Sequence, residues 1–177
     1  MTHEMIIAGF GGQGIMVMGQ LLTYAGMLEE KNVSWIPSYG PEMRGGTANC
    51  SIIVADEPIG APIVSESSAV VAMNLPSLDK FESTLRPGGI LIINSSLIDK
   101  QAQRTDIKIF RVPANDIANE LGNAKVANMV ALGALVAATK AVDTESVVKA
   151  FAKMFAKKPE LLAINKTAIN RGVEQIH

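Results

Sequence analysis

The 177-residue chain has few of the side chains that most enzyme active sites use. It contains one cysteine, Cys50, and two histidines, His3 and His177, which stand near its two ends. One thiol cannot form an internal disulfide, and a cysteine-ligated iron–sulfur cluster needs about four thiolates. With so few imidazoles, a catalytic triad, His-based acid–base chemistry and a zinc site lack candidates. We therefore predict no catalytic residue and no metal ligand in this chain, and we expect Cys50 to be a small buried residue.

Aromatic residues and long apolar runs are also scarce. Aromatics make up 5% of the residues and the net charge is −1, which argues against binding to nucleic acid. No apolar run reaches the roughly 20 residues needed to cross a bilayer. Residues 1–10 lack a basic n-region and a small-residue cleavage site, so they indicate a first strand and not a signal peptide. We expect a cytoplasmic protein that does not contact a membrane.

The charge is unevenly distributed along the chain. Residues 1–90 carry 4 basic and 9 acidic side chains, whereas residues 91–177 carry 12 and 8. Much of the basic excess lies in Lys149, Lys153, Lys157 and Lys158. The first three repeat at i, i+4 and i+8, which predicts a stripe on one helix face. Such a stripe is either a solvated face or a contact for an acidic partner or phosphates.

Short β-rich runs alternate with helical runs through the first two thirds of the chain. Hydrophobic residues make up 48% of the sequence and the mean hydropathy is +0.24, typical of a folded domain. The pattern predicts one α/β domain, residues 1–177, with a mostly parallel layered sheet and a helical C-terminal segment. Strands are predicted at residues 5–9, 33–37, 47–55, 69–73, 90–94 and 107–112. Helices are predicted at residues 14–30, 77–85, 115–121, 128–140, 144–157 and 159–171.

Residues 9–14, with the sequence GFGGQG, match the pattern G-x-G-x-x-G between a predicted strand and a predicted helix. Glycines allow a turn with positive φ, and the free N–H groups of a new helix favour an anion. The pattern therefore favours a phosphate-bearing ligand. The alternative is that these glycines only let the first helix pack tightly on the first strand. The candidate ligand contacts are Gly9, Gly11, Gly12, Gln13 and Gly14.

A nicotinamide cofactor is the other ligand that this pattern suggests. Such a site usually adds an acidic residue at the end of the second strand, where it binds the ribose hydroxyls. Here that strand ends in Trp35-Ile36-Pro37-Ser38, and the next acidic residue is Glu42. The sequence therefore disfavours a stand-alone dinucleotide-binding oxidoreductase, which remains an alternative.

A second loop, residues 38–47, joins two predicted strands and has an unusual composition. It combines an aromatic ring, a carboxylate and a guanidinium with three glycines and a proline, and loops of this kind often carry function. The guanidinium could bind a carboxylate or phosphate; alternatively, the loop is a structural turn with its charges solvated or paired. The candidate residues are Tyr39, Gly40, Pro41, Glu42, Arg44, Gly45 and Gly46.

Together the two loops resemble the γ subunit of the 2-oxoacid:ferredoxin oxidoreductases. Residues 9–14 and 38–50 are similar to the corresponding segments of that family. The resemblance extends over nearly the whole chain in length and element order, but its motifs lie between residues 5 and 94. The helical tail adds little to it.

The resemblance implies a Rossmann-like subunit of an enzyme that converts a 2-oxoacid and coenzyme A to acyl-CoA and CO₂ and passes electrons to ferredoxin. It implies α, β and possibly δ subunits as partners. Thiamine diphosphate with its magnesium is then expected between α and β, and [4Fe–4S] clusters in β or δ. The isolated chain is expected to be inactive. The glycine loop would contact coenzyme A, and residues 39–46 would form an interface that borders the active centre; a purely structural scaffold is the alternative.

The second loop also bears on the substrate class. Residues 44–49, RGGTAN, are more similar to the 2-oxoglutarate and branched-chain members than to the pyruvate members, where alanine is expected in place of Gly46. The indolepyruvate relatives usually carry a His-Gly-Met type of sequence where this chain has Tyr39-Gly40-Pro41. The resemblance therefore implies 2-oxoglutarate as first choice and a branched-chain 2-oxoacid as second.

Overall fold

A computed structural model describes residues 1–39 and 47–177. These residues form one six-stranded sheet flanked by helices. The strands are β1 (Thr2–Phe10), β2 (Asn32–Tyr39), β3 (Thr47–Ala55), β4 (Ser67–Ala72), β5 (Leu85–Asn94) and β6 (Lys108–Val112). The helices are α1 (Ile15–Leu28), α2 (Leu75–Phe81), α3 (Ala114–Glu120), α4 (Ala127–Thr139), α5 (Thr144–Met154) and α6 (Leu162–Val173), with short 3₁₀ turns at Glu82–Thr84, Ala124–Val126 and Pro159–Leu161.

The strand order is β2-β3-β1-β4-β5-β6. Strand β1 pairs in parallel with β4, β4 with β5, and β5 with β6. Strand β3 runs antiparallel to both of its neighbours, β1 and β2. Five of the six strands in the described residues therefore point the same way, which confirms the predicted α/β class with a mostly parallel sheet.

The sheet buries both faces, because alternate side chains of its central strands point in opposite directions. Met5 and Ile7 of β1 join the large core beneath α1, α4, α5 and α6. Ile6 and Ala8 of the same strand join a smaller core with Leu78 of α2. The middle residues of β1 and β4 are accordingly apolar in continuous runs, as expected of strands covered on both faces.

Helix α4 is the most deeply buried helix and packs directly on α6. A Cβ atom added to Gly133 of α4 would collide with the backbone carbonyl oxygen of Ile169 in α6 and would lie 2.8 Å from its carbonyl carbon. Likewise, a Cβ on Gly172 of α6 would collide with the carbonyl oxygen of Val130 in α4. The two helices therefore approach each other backbone to backbone, which only glycine allows at these positions.

The C-terminal helices confirm the predicted helical segment but correct its details. Helix α5 begins at Thr144 as predicted, and Asp143, with extended backbone angles, is its N-cap. The predicted helix over residues 144–157 ends at Met154, because Pro159 excludes helical angles at Lys158 and a turn closes between Lys158 N–H and the Phe155 carbonyl. The prediction of a lysine stripe on one helix face is therefore wrong for Lys157, which lies beyond the end of α5.

Lys149 and Lys153 lie on α5, whereas Lys157 and Lys158 follow its end. The four lysines are all exposed. They therefore share one region of the surface without forming a single helical row.

The strand predicted at residues 90–94 begins earlier, at Leu85, and residues 86–89 form an irregularity within it. Ser67 pairs with Leu85 and Ala69 pairs with Ile90, so the four residues between Leu85 and Ile90 stand opposite a single residue of β4. Gly88 has a φ of +79°, which fits this bulge. A guanidinium–carboxylate pair between Arg86 and Glu4, 2.5 Å long, holds the bulge against β1.

None of the helices in the described part of the chain is long and apolar enough to span a membrane.

We predict that Gly133→Ala lowers the free energy of unfolding by about 1–3 kcal/mol. Alanine is the better helix former by about 1 kcal/mol, but overpacking against the Ile169 backbone outweighs that gain. Urea unfolding followed by circular dichroism measures the change. Gly60→Ala is the matched control, since nothing lies within 4 Å of a Cβ there. Equal midpoints for the two variants would show that the helices can separate at little cost.

Candidate functional site

The carboxyl edge of the sheet brings the two loops of interest together. Strand β1 runs into the glycine loop at this edge, and Phe10 at its end pairs with Thr47 at the start of β3. Tyr39 at the end of β2 pairs with Ala48. Both ends of the second loop therefore lie beside the glycine loop, although the two loops are about 30 residues apart in sequence.

The glycine loop is built around two left-handed glycines. Gly12 has a φ of +92° and Gly14 a φ of +74°, a region that other residues rarely occupy. Gly14 is the N-cap of α1, and its carbonyl accepts the first helical bond from Met18 N–H at 3.1 Å. The sequence therefore places glycine where the chain turns sharply from β1 into α1.

Gln13 fastens this loop from inside. Its Oε1 accepts a hydrogen bond from Phe10 N–H at 2.6 Å, and its Nε2 donates to the Met73 carbonyl at 3.4 Å. The side chain thereby bridges the ends of β1 and β4. Among the five candidate residues of the loop, Gln13 therefore stabilises the loop, and its side chain also lines the cavity described below.

Gly9 has a packing role. It is buried at the end of β1, and a Cβ there would lie 2.5 Å from Gln13 Oε1, 2.8 Å from Ile15 Cδ1 and 2.9 Å from Met73 Cβ. This crowding favours, for Gly9, the alternative that glycine permits close packing of α1 on β1. Gly11, in contrast, is exposed to solvent.

A cavity of about 120 Å³ lies against the loop at the start of α4. It is lined by eight described residues from four segments: Gly12, Gln13, Met73, Asn115, Ala124, Lys125, Ala127 and Asn128. Lys125 is the one charged side chain among them and is exposed. The cavity therefore combines amide groups with a single positive charge.

The glycine loop also presents unused donors. In the described residues, the backbone N–H groups of Gly11, Gly12 and Gly14 have no hydrogen-bond acceptor. The Asn128 side chain reaches the loop from α4, where its Nδ2 donates to the Gly14 carbonyl at 3.4 Å. Free amides at a helix start beside a lysine form an arrangement that suits an anion.

The polar residues that follow the other strands have structural partners. Asn74 Oδ1 accepts from Ser77 N–H at 3.0 Å and caps α2. Asn94 Nδ2 donates to the Met73 carbonyl at 3.2 Å and to Asn115 Oδ1 at 2.8 Å. These bonds tie the ends of β4 and β5 and the start of α3 to one another, so Asn74 and Asn94 shape the edge without lining the cavity.

Of the second loop, the structure describes Tyr39. Its side chain is 55% exposed at the end of an edge strand. The candidates Gly40, Pro41, Glu42, Arg44, Gly45 and Gly46 lie outside the described residues. The loop leaves the sheet at Tyr39 and re-enters it at Thr47.

Cys50 lies in β3 and is fully buried in the large core. Burial raises the pKa of its thiol to about 12, so the reactive thiolate is not populated near neutral pH. This agrees with the expectation of a small buried residue. Across residues 1–39 and 47–177, no group of three or more His, Cys, Asp or Glu side chains is placed to hold a metal ion.

The strand order bears on the nicotinamide alternative. In dinucleotide-binding folds the acidic residue for the ribose ends the strand next to the first one. Here β3 separates β1 from β2. The end of β2 therefore lies two strand spacings, roughly 10 Å, from the end of β1. The topology thus adds to the sequence argument against a ribose contact from the second strand.

Three cavity residues were missed by sequence reasoning: Asn115, Lys125 and Asn128. They lie at the start of α3, just before α4 and at the start of α4, in the segment that adds little to the family resemblance. A usable signal was present, because α4 is apolar around its whole circumference. Polar side chains clustered at one end of such a buried helix are candidates for a site.

Comparison with known proteins gives a consistent result. The family model described as pyruvate ferredoxin/flavodoxin oxidoreductase matches residues 4–175. A 2-oxoglutarate synthase subunit KorC from Methanocaldococcus jannaschii is 35% identical over 173 residues, which cover 94% of this chain and 92% of that protein. A ketoisovalerate oxidoreductase subunit VorA from Methanothermobacter marburgensis is 37% identical over 95% of this chain. The chain spans about a third of the length of that relative.

Solved structures agree with the fold. The γ subunit of a keto/oxoacid ferredoxin oxidoreductase from Geobacter sulfurreducens superimposes with a TM-score of 0.83 at 30% identity, covering 98% of this chain and 97% of that one. A 2-oxoglutarate:ferredoxin oxidoreductase from Magnetococcus marinus, solved with 2-oxoglutarate, coenzyme A and succinyl-CoA, gives 0.90 at 22% identity. The match covers 98% of this chain and 31% of that one, and shows likeness of fold alone.

We predict that Gly14→Ala destabilises the chain by about 2–3 kcal/mol, because alanine is strained at positive φ and its Cβ would collide with the Asn128 amide. The double variant Gly14→Ala/Asn128→Ala should be less unstable than the sum of the single variants, since it removes the collision and keeps the strain. Urea unfolding of the four proteins gives this coupling. Strict additivity would show that α4 does not press on the loop.

Proposed function

The chain belongs to the pyruvate ferredoxin/flavodoxin oxidoreductase family, and from this premise we propose that it works as the γ-type subunit of a 2-oxoacid:ferredoxin oxidoreductase. The complete enzyme converts a 2-oxoacid and coenzyme A to acyl-CoA and CO₂ and reduces ferredoxin. In this proposal the chain contributes a phosphate contact for coenzyme A and interfaces to other subunits. The whole active site is assembled only with its partners.

The observation that carries the proposal is the cavity between the glycine loop and α4. Among the described residues it is lined by Gly12, whose amide has no acceptor there, and by Lys125 and Asn128, and it lies beside the N-terminus of α1. A phosphate has enough acceptor oxygens to bind several such donors at once. The cavity thus supports Gly12 as a ligand contact, with Gly11 and Gly14 beside it in the loop, Gln13 holding the shape of the loop and Gly9 allowing close packing.

The volume of the cavity and the binding free energy that a helix N-terminus supplies both indicate that this chain binds only part of a ligand. Ligand pockets are typically about 300–1,000 Å³, more than twice the 120 Å³ found here. A helix N-terminus contributes about 0.3–1 kcal/mol, and micromolar affinity needs about 8 kcal/mol. The cavity therefore suits one phosphate group, and the rest of coenzyme A must be bound by other subunits.

The redox and decarboxylation chemistry belongs to partner subunits in this proposal. Thiamine diphosphate supplies the carbanion chemistry and iron–sulfur clusters carry single electrons. The one cysteine of this chain is buried in its core. We expect thiamine diphosphate and its magnesium between α and β, the clusters in β or δ, and no activity from the isolated chain.

The second loop is proposed as an interface that borders the active centre. Its ends lie beside the glycine loop at the carboxyl edge, and Tyr39 is exposed there. An exposed aromatic ring at an edge strand is a common interface residue. Gly40, Pro41, Glu42, Arg44, Gly45 and Gly46 would extend this contact, with Arg44 able to bind a carboxylate.

For the substrate, we propose 2-oxoglutarate first and a branched-chain 2-oxoacid second. The KorC relative, a 2-oxoglutarate synthase subunit, matches along 92% of its length. The ketoisovalerate relative is slightly more identical, at 37%, but is a much longer chain. Identity therefore does not separate the two substrates.

A purely structural scaffold is the second candidate function. The tight packing at Gly9 supports it, because that glycine is explained without any ligand. The two candidates differ at the cavity, since a scaffold requires neither Lys125 nor the unpartnered amides.

Purification of the tagged chain from its own cells, followed by native mass spectrometry, tests the assembly. We expect other subunits to co-elute with thiamine diphosphate and iron, and the eluate to reduce ferredoxin when given 2-oxoglutarate and coenzyme A. Branched-chain 2-oxoacids and pyruvate in the same assay identify the substrate class. A chain that elutes alone under gentle conditions, with neither thiamine diphosphate nor iron, would contradict the subunit proposal.

Lys125→Met in the assembled enzyme is expected to raise the KM for coenzyme A by roughly three- to tenfold with little change in kcat. It removes a solvent-exposed charge that contacts a non-reacting phosphate, so the effect is smaller than for a buried pair and shrinks with added salt. Steady-state kinetics at two ionic strengths measures it. Lys108→Met, an exposed lysine at the start of β6, is the control. Identical KM values for both variants would favour the scaffold.

A further inference from the structure

An apolar groove lies on the flank of the molecule, away from the glycine-loop cavity. It has a volume of about 290 Å³ and opens between α1, the edge strand β2 and the end of α5. We name it the α1–α5 groove; its lining residues are Gln20, Thr23, Tyr24, Met27, Trp35 and Met154. Met27 is 60% exposed there, which is unusual for a methionine in a folded domain.

The apolar surface continues beyond the groove along β2. Tyr39, which lies on the same face of β2 as Trp35, is 55% exposed, and β2 is the last strand of the sheet in the described residues. From Trp35 to Tyr39 this edge runs from the groove to the start of the second loop. Contiguous exposed apolar side chains of this kind mark interaction surfaces more often than solvated ones.

Four lysines stand close in sequence to Met154, the groove residue at the end of α5. Lys153 precedes Met154 directly, and Lys157 follows it by three residues. Lys149 lies one helical turn before Lys153, and Lys158 follows Lys157. Within residues 1–39 and 47–177, no carboxylate lies within 4.0 Å of any of these four lysines, although Glu145 is four residues before Lys149.

An apolar centre beside a charged border has the composition of a protein interface. The sign of the border selects the partner, because complementary charges steer association and like charges oppose it. The fitting occupant is therefore a protein surface with an apolar side chain at its centre and carboxylates around it.

Resting on the subunit assignment above, we propose that the α1–α5 groove is the docking surface for another subunit of the same oxidoreductase, which presents an apolar side chain surrounded by carboxylates. Permanent subunit contacts are more apolar than transient encounters, and the groove is lined mainly by apolar side chains. In the VorA relative this domain is about a third of a longer chain.

A second copy of this chain is the less suitable occupant. A twofold dimer through the groove would bring the same four lysines of both copies together. Such like-charge contact is unfavourable. The symmetric arrangement is therefore opposed by the charge that favours an acidic partner.

The test uses the complex purified through a tag on this chain, with the double variant Lys153→Glu/Lys157→Glu and with Met27→Asp. We expect each variant to reduce the amount of the other subunits that is retained, measured by native mass spectrometry, by about tenfold or more. The lysine variant places like charges together at the contact, and Met27→Asp places a charge in its apolar centre. Lys108→Glu, an exposed lysine on β6, should retain them fully. Unchanged circular dichroism and thermal midpoints of the isolated variants exclude unfolding as the cause.

Carbodiimide cross-linking of the wild-type complex gives an independent readout, because it joins lysine amines directly to neighbouring carboxylates. Links from Lys153 or Lys157 to an acidic residue of another subunit support the proposal. Links between two copies of this chain, or full retention of partners by both variants, overturn it and leave the subunit assignment intact. If the wild-type chain retains no other subunit, the assignment and the docking proposal fail together.

Discussion

The antiparallel pairing of β3 with β1 is the constraint on which the site depends. Nine residue pairs from Thr2–Ala55 to Phe10–Thr47 hold the two strands in register, and β2 is displaced to the edge. Both ends of the second loop are thereby fixed beside the glycine loop. The same insertion moves the end of β2 away from β1, where a dinucleotide fold would need its acidic residue. This one strand pairing therefore places both loops at the same edge of the sheet. It also leaves the end of β2 too far from β1 for a ribose contact.

The other half of the cavity depends on helix packing. Gly133 and Gly172 let α4 and α6 meet backbone to backbone, and α4 buries nearly all of its side chains in the core. Its start is then fixed above the glycine loop, with Asn128 touching the Gly14 carbonyl. A change far from the loop, between two C-terminal helices, can therefore move Lys125 relative to the loop amides. The charge that suits a phosphate is held in place by this apolar packing and by the local bond from Lys125 N–H to Asn123 Oδ1.

Sequence patterns predicted the fold well and the site only in part. The strand at 47–55, the glycine turn and the mixed order of strands and helices follow from local periodicity and from glycine chemistry. Residues Asn115, Lys125 and Asn128 could not be placed, because tertiary packing brings them to the loop from more than 100 residues away. The end of α5 was also misplaced: the lysine spacing continued a helical pattern past the point where Pro159 stops it. A local sequence pattern gives the wrong structure where a nearby proline or a contact with a distant segment determines it.

The cavity is too small for a nucleotide, and the single thiol of the chain is buried. Both observations favour a partial site over a complete one. About 120 Å³ holds one phosphate group and not a whole ligand, so most of the binding free energy must come from elsewhere. The apolar groove and its lysines supply a surface on which a partner could provide it, at the flank reached from the second loop along β2. In the proposed assembly a phosphate held by this chain must meet a reacting centre held by another subunit, so their relative position matters more than the affinity of either. A tight subunit interface then contributes to catalysis by fixing that distance.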